Sequence, residues 1–376
     1  MTERSYRRIV LKLGTNLLTS GQNRLDVDFM STLVAQVAEL HREGYEILIV
    51  TSGAVAAGRE CLGLTRESSR ELKGIPLKQV LAAVGQGRLM QIYEELFERH
   101  QLTVAQALLT RAVLVDRAGY LNARNTLLAL LEMGIISIIN ENDVVAVDEL
   151  EEARFGDNDN LSAMVANLVD ADLLVLLTDI GGLYTADPHR HKEASLIAEV
   201  LEITPAIEAA AAGPHAAGAT GGMTTKIEAA RLATSSGVSV VIASGHEASA
   251  ITRLARGEAL GTHFLPAGRR DSRARWVLSG LCTRGRLSVD MGAAKALAAQ
   301  NRSLLAAGIG TVEGEFERGD IVDIVDGTSR KLGSGISNYS SAELGKIIGA
   351  RSDQIADILG RDYGAEVIHR NNLALI

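Results

Sequence analysis

Aromatic side chains are scarce. Phe, Trp and Tyr make up 3% of the 376 residues, against 47% for apolar residues of all kinds, so Ala, Leu, Ile and Val must pack the core. The two cysteines, Cys61 and Cys282, lie in different halves and match no disulfide or zinc spacing. No apolar run reaches the roughly 18 residues of a membrane span. Lys12 interrupts the first apolar stretch, so no secretory leader is expected. A net charge of −8 gives no overall attraction to nucleic acid or to an anionic membrane. A soluble cytoplasmic protein is expected, without membrane partners and long enough for two domains.

Several common phosphate and nucleophile fingerprints are also missing. GQGRLM at 85–90 begins like a dinucleotide loop, but Met90 stands where the third glycine belongs, and the stretch lies inside a helical pattern. No GxxxxGK[ST] occurs, which excludes a P-loop enzyme. TSGAV around Ser52 is not a nucleophile elbow, because Val50 and Ala54 replace both glycines. FGDNDNLSA, residues 155–163, is not an EF-hand loop: counted from Asp157, position six is Ser162 and position twelve is Leu168.

What is present reads as an α/β protein. RIVLKL (8–13), EILIV (46–50), VAQALL (104–109), IISII (135–139), DLLVLL (172–177) and VSVVIA (238–243) are short, continuous apolar runs. Such runs suit central strands covered on both faces. Helical patterns lie between them, among them Asp26 to His41, capped by Asp26 or Asp28, and Leu77 to Arg99. The alternation predicts a three-layer sandwich with a mainly parallel central sheet over residues 1–266. AGRRDSRAR, residues 267–275, is a polar linker candidate. WVLSG, GRLSVD and GDIVDIVD then predict a small β-rich domain over 276–376.

The strand ends carry the chemistry. Lys12-Leu13-Gly14-Thr15-Asn16, Thr51-Ser52-Gly53-Ala54, Asn140-Glu141-Asn142-Asp143 and Thr178-Asp179-Ile180-Gly181-Gly182 each follow a strand. One such cluster is an ordinary βα turn. Four at the carboxyl edge of one sheet mark a ligand crevice. Lys12 either snorkels to an edge or sets its ammonium against phosphate. GATGGMTTK, residues 218–226, is a glycine-rich turn into a helix beginning near Thr224, whose free N–H groups and dipole suit an anion, with Lys226 in the first turn. In Asp157-Asn158-Asp159-Asn160 one side chain suffices to cap a helix, and the other three need further partners.

KLGTNLL, VTSGAVAAGRE, LAAVGQGRL, LLTR, NARNTL, INENDVV, GDNDNLSA, LLTDIGGLYTADP and GATGGMTTK resemble, in order and spacing, the bacterial glutamate 5-kinases of the amino acid kinase fold. WVLSG, VDMGAAKAL and SLLAAGI are similar to the PUA domain that many of these enzymes carry. Thr225 stands where serine is commoner, and ELEEAR before GDND is a little longer than usual. The resemblance implies phosphorylation of the γ-carboxylate of L-glutamate by ATP, the first step of proline synthesis, with proline as a feedback inhibitor. It also implies a homo-oligomer, dimer or tetramer, and a transient complex with γ-glutamyl phosphate reductase.

Roles carried over by the resemblance place Lys12, Asp159 and Lys226 at the transferring phosphoryl group. Ser52, Asn140, Asp143 and Asn158 face glutamate, with Asp143 on its α-ammonium. ATP would meet Lys12, Gly14, Gly53, Thr178, Asp179, Thr220, Gly221, Gly222, Met223, Thr224, Thr225 and Lys226. Mg²⁺ would be held mainly by the ATP phosphates, and Asp157 would cap a helix or reach the metal through water. The alternatives are another carboxylate kinase of the same fold, or an RNA-binding role for the PUA-like domain. Against the latter, residues 276–376 hold 11 Lys or Arg and 12 Asp or Glu, whereas RNA-binding faces are usually basic. A local basic patch at Arg269, Arg270, Arg273 and Arg275 keeps RNA open.

Overall fold

The computed structural model describes residues 6–22, 24–64, 75–146, 158–186, 188, 191, 193–212, 222–266, 283–300, 302–360 and 364–375. Two compact units divide between residues 267 and 268. The expected linker (267–275), its basic patch, the strand WVLSG, and Asp157, Thr220 and Gly221 lie outside the described residues.

The first unit starts with β1 (Arg8–Leu13), α1 (Thr15–Thr19), α2 (Val27–Arg42), β2 (Glu46–Thr51), α3 (Ala54–Cys61) and α4 (Ile75–Glu98). Next come β3 (Val104–Leu109), α5 (Arg111–Val115), α6 (Arg117–Glu132), β4 (Ile136–Glu141), α7 (Asn158–Leu168) and β5 (Leu173–Thr178). β6 (Glu199–Val200), α8 (Pro205–Ala212), α9 (Met223–Ser235), β7 (Ser239–Ser244), α10 (Ala250–Ala255) and β8 (Thr262–Phe264) complete it. The strands form an eight-stranded sheet in the order β3-β4-β2-β1-β5-β7-β8-β6. All pairs are parallel except β7–β8.

The centre of that sheet is as apolar as its sequence requires. In β1 and β2 only the first residue is not buried, and β5 is buried throughout. β3 differs: Gln106 and Leu108 are exposed, because it forms one edge of the sheet. α2 starts where Asp26 accepts a hydrogen bond from the Phe29 N–H at 3.0 Å, the capping arrangement its sequence suggested. Its apolar face, with Met30, Leu33, Val34 and Val37, joins Leu11, Leu13 and Ile49 in a core built mainly of aliphatic side chains. Two of the few aromatics, Tyr93 and Phe97, stack inside that core with ring centroids 6.5 Å apart.

Register aligns the strand ends. Leu13 pairs with Thr51 and with Leu177, while Val50 pairs with Ile139. Lys12, Thr51, Asn140 and Thr178 therefore reach one edge of the sheet together. No helix among the described residues is long and apolar enough to cross a membrane.

The second unit is β-rich. β9 (Thr283–Val289), α11 (Met291–Gln300), β10 (Leu304–Leu305), β11 (Ile309–Gly314), β12 (Ile321–Val325) and β13 (Lys331–Ile336) lead to α12 (Ser341–Ile347), α13 (Ile355–Leu359), β14 (Glu366–Ile368) and β15 (Leu373–Leu375). Five strands pair in the order β11-β9-β12-β13-β15, and β10 pairs with β14. Leu287, Val322, Ile324, Tyr339, Leu344 and Val367 are fully or almost fully buried in its separate core.

Candidate active site

The site begins with a lysine that the sheet buries. Lys12 is the fifth residue of β1 and is 3% exposed. A buried ammonium is costly without a partner. Its Nζ lies 2.6 Å from Oδ1 of Asp159, itself fully buried in the first turn of α7. The other oxygen of that carboxylate, Oδ2, is 3.1 Å from Nζ of Lys226. Lys226 sits in the opening turn of α9 and is 6% exposed. Three residues distant in sequence thus form a buried cation–anion–cation group. Each local placement has a reason. An anion is favoured at a helix N-terminus, whereas a cation there is not; Asp159 offsets that cost for Lys226.

Thr225 belongs to the same cluster. Its Oγ1 is 2.9 Å from Asp159 Oδ2 and 2.8 Å from the Gly222 carbonyl oxygen. The resemblance implies that Thr225 meets ATP; its hydroxyl also meets the acid between the lysines. Serine would supply the same hydroxyl, so the threonine leaves this contact intact. α9 begins at Met223, one residue before the sequence-based estimate, and Gly222 caps it without a side-chain hydrogen bond. Gly222 and Met223 are half-buried at this helix start and Thr224 is exposed.

Gly53 turns the chain between β2 and α3. Its φ of 103° lies in the left-handed region, and a Cβ there would come 3.1 Å from Leu25 Cδ2, so glycine meets both demands. Like α9, α3 opens with no side-chain cap. Gly14 caps α1 in the same manner, its Cα side facing Lys12: an added Cβ would lie 3.6 Å from Lys12 Nζ.

Beside the charges runs a chain of side-chain amides. Asn158 Nδ2 lies 2.8 Å from the Thr51 carbonyl oxygen, 2.9 Å from Ser52 Oγ and 3.1 Å from Asn140 Oδ1. Asn140 Oδ1 also accepts from the Glu141 N–H at 2.9 Å, and Asn140 Nδ2 donates to Gln86 Oε1 at 2.8 Å. Ser52, Asn140 and Asn158 therefore converge. Asp143, in the turn after β4, faces Lys78 on α4 at 3.8 Å. Thr178 donates to Asp179 Oδ1 at 3.0 Å at the end of β5, with Thr178 buried and Asp179 exposed.

Thr51 anchors the floor. Its hydroxyl is 2.8 Å from the Tyr93 hydroxyl, and burial pushes the Tyr93 phenol far above its ordinary range despite that hydrogen bond.

Gln86 and Lys78 were not anticipated. Gln86 left one signal, a polar residue between two glycines inside a helical pattern. Lys78 left none.

The donor set limits how a metal could be held. Both Asp159 oxygens face lysines, and among the described residues no group of three or more His, Cys, Asp or Glu gathers as a cation site.

The sequence profile of the amino acid kinase family matches residues 7–244, the span that contains every charged and amide group above. The chain belongs to the amino acid kinase family. The family profile is followed by a second, that of the PUA domain, over residues 285–359. Curated relatives match over the full length. A protein named glutamate 5-kinase from Dehalococcoides mccartyi (strain CBDB1) is 58% identical, covering 100% of both chains. One of the same name from Herpetosiphon aurantiacus is 51% identical over 98% of each, and one from Moorella thermoacetica is 48% identical over 100% of each.

Proposed function

We propose that this protein transfers the γ-phosphoryl group of ATP to the γ-carboxylate of L-glutamate, yielding γ-glutamyl phosphate and ADP. The observation that carries this reading is the buried Lys12–Asp159–Lys226 group at the carboxyl edge of the sheet. Full-length similarity to proteins named glutamate 5-kinase supports the choice of substrate.

The reaction explains why cations, and no general base, are gathered there. A γ-carboxylate with an ordinary pKa of about 4.3 is ionised at neutral pH and is ready to attack. The barrier is electrostatic, since an anion must approach a polyanion and the loose transition state spreads charge over the phosphoryl oxygens. Lys12 and Lys226 would bind those oxygens from two sides, with backbone N–H groups near Gly14 and Gly53 as further donors. Asp159 keeps the two ammonium groups close together without letting them repel. Asn158 and Ser52 orient the glutamate, and Asn140 and Asp143 receive its α-carbon end. Thr178, Asp179 and residues 220–225 would border the nucleotide. A divalent cation, in practice Mg²⁺, fits as a passenger of the ATP phosphates, because the Asp159 carboxylate is committed to lysines; when bound it neutralises phosphate charge.

We place the catalytic domain at residues 1–266, the linker at 267–275 and the PUA-like domain at 276–376. As the first step of proline synthesis, the reaction is expected to be inhibited by proline, which shares the α-amino acid end of glutamate. The test is a coupled assay of ADP release with and without glutamate, N-acetylglutamate and proline. Glutamate-dependent release, absent with N-acetylglutamate and depressed by proline, is the expected result. Release that is indifferent to glutamate would refute the reading.

A further inference from the structure

The Gly85-Gln86-Gly87 triplet is absorbed neither by the nucleotide nor by the lysine cluster. It lies within α4, and Gly85 is a point of helix contact. A Cβ on Gly85 would fall 1.8 Å from the Ala54 carbonyl oxygen, and one on Gly58 would fall 1.9 Å from that of Leu81. The backbones of α3 and α4 therefore touch, and the residue after Gly85 is delivered to the end of β4.

There its neighbours fix how Gln86 points. The Glu141 N–H can only donate and holds Asn140 Oδ1, which also faces Asn158, so Asn140 turns its Nδ2 to Gln86, which must offer Oε1 at 2.8 Å. Among the described residues, two buried atoms of the chain Gln86–Asn140–Asn158–Ser52 have no hydrogen-bond partner: Gln86 Nε2, a donor, and Asn158 Oδ1, an acceptor. Buried polar atoms are almost always paired, and exceptions call for a specific reason. A donor and an acceptor on one short chain match the carboxylate and the ammonium of an α-amino acid.

We propose that Gln86 is a specificity-determining residue for the amino acid substrate, its Nε2 donating to the α-carboxylate while its Oε1 accepts from Asn140. The inference rests on the glutamate reading above. Sheet order separates β4 from β1 by one strand, which at about 4.8 Å per step sets Asn140 roughly 10 Å from the strand bearing Lys12. With the γ-carboxylate at the lysines, the end of the substrate that reaches β4 is the α-carbon end. Lys78, two turns before Gln86 on the same helix face, meets Asp143 at 3.8 Å, so one stripe of α4 borders both residues assigned to that end.

Full-length wild-type, Gln86→Met and Gln86→Glu proteins would be compared by steady-state kinetics with glutamate and ATP varied separately. Gln86→Met removes both amide functions; Gln86→Glu keeps the acceptor for Asn140 but puts a carboxylate in place of the donor. Loss of a hydrogen bond to a charged group should raise the glutamate KM about tenfold or more in Gln86→Met. Gln86→Glu should raise it further, with the ATP KM unchanged and kcat altered much less. The inhibition constant of 4-aminobutyrate, which is glutamate without its α-carboxylate, should be the same in wild type and Gln86→Met. A wild-type glutamate KM in Gln86→Met, or an equal loss for glutamate and 4-aminobutyrate, overturns the assignment. Should Gln86→Met not fold, Gln86→Glu decides by the same readings. Wild-type protein without glutamate-dependent ADP release overturns the kinase reading itself, a result distinct from unchanged kinetics in the variants.

Discussion

Replacing Asp159 by Asn removes one charge and almost no volume, and its consequences can be worked out from two contacts. Oδ1 is 2.6 Å from Lys12 and Oδ2 is 3.1 Å from Lys226. Two such contacts across one carboxylate hold the ammonium groups within about 8 Å, where two unit charges at an effective dielectric near 20 repel by roughly 2–3 kcal/mol. The asparagine oxygen still accepts from one lysine, and the other loses the Asp159 charge. Breaking a buried ion pair from one side costs about 3–5 kcal/mol, and the two lysines should share a loss near the lower figure. We therefore expect Asp159→Asn to lower apo-protein stability by about 3 kcal/mol in a denaturant titration. ATP supplies the missing negative charge, so nucleotide should stabilise the variant more than it stabilises wild type. Turnover should still fall by about 10²-fold or more, because the lysines are no longer held for the transition state. The assays are denaturant unfolding with and without nucleotide, and glutamate-dependent ADP release. A variant as stable as wild type, with ordinary turnover, would refute the reasoning.

Other substitutions separate the remaining roles. Lys226→Ala should lower kcat by about 10²-fold or more, on the scale of a lost transition-state donor; near-normal turnover in the coupled assay would remove it from the chemistry. Asp143→Asn should raise the glutamate KM more than it lowers kcat, and a change confined to the ATP KM would contradict its place at the α-ammonium. Gly85→Val drives a side chain into the Ala54 carbonyl, 1.8 Å from the first added atom, and should cost about 3 kcal/mol in chemical unfolding. Asp26→Ala should cost about 1 kcal/mol at pH 7 through the lost α2 cap. The Ser20 hydroxyl, then the Phe29 N–H, hold the Asp26 carboxyl below its ordinary 3.8. Its contribution is therefore complete above pH 3.8 and disappears as pH falls through the depressed value, so the variant and wild type should converge in acid.

The elements that the sequence displayed are those governed by local chemistry. RIVLKL and VAQALL correspond to β1 and β3 residue for residue, and Asp26 caps α2 as its position before an apolar helical pattern required. The small strands β6 and β8, and the antiparallel pairing of β7 with β8, follow from tertiary packing and left no periodic signal. At the site, Lys12 stood out because a charge within an apolar strand needs a partner, but nothing local names Asp159 or Lys226 as that partner; their assignment came from resemblance, and the fold brings the three together. Gln86 was hidden for the opposite reason. Its flanking glycines suggested a loop fingerprint, whereas Gly85 serves the contact between α3 and α4. The resemblance implies a nucleotide contact for Thr225; that its hydroxyl also meets Asp159 depends on where α7 runs and is not legible in the sequence.

The most direct test of the central claim traps the product. An acyl phosphate is attacked by hydroxylamine to give a hydroxamate, so the full-length protein would be incubated with Mg²⁺-ATP, labelled glutamate and hydroxylamine. The account predicts γ-glutamyl hydroxamate formed in step with ADP in the wild type, and a loss of about 10²-fold or more in both Lys226→Ala and Asp159→Asn. ADP release without hydroxamate, or hydroxamate formed equally well by these two variants, would contradict it.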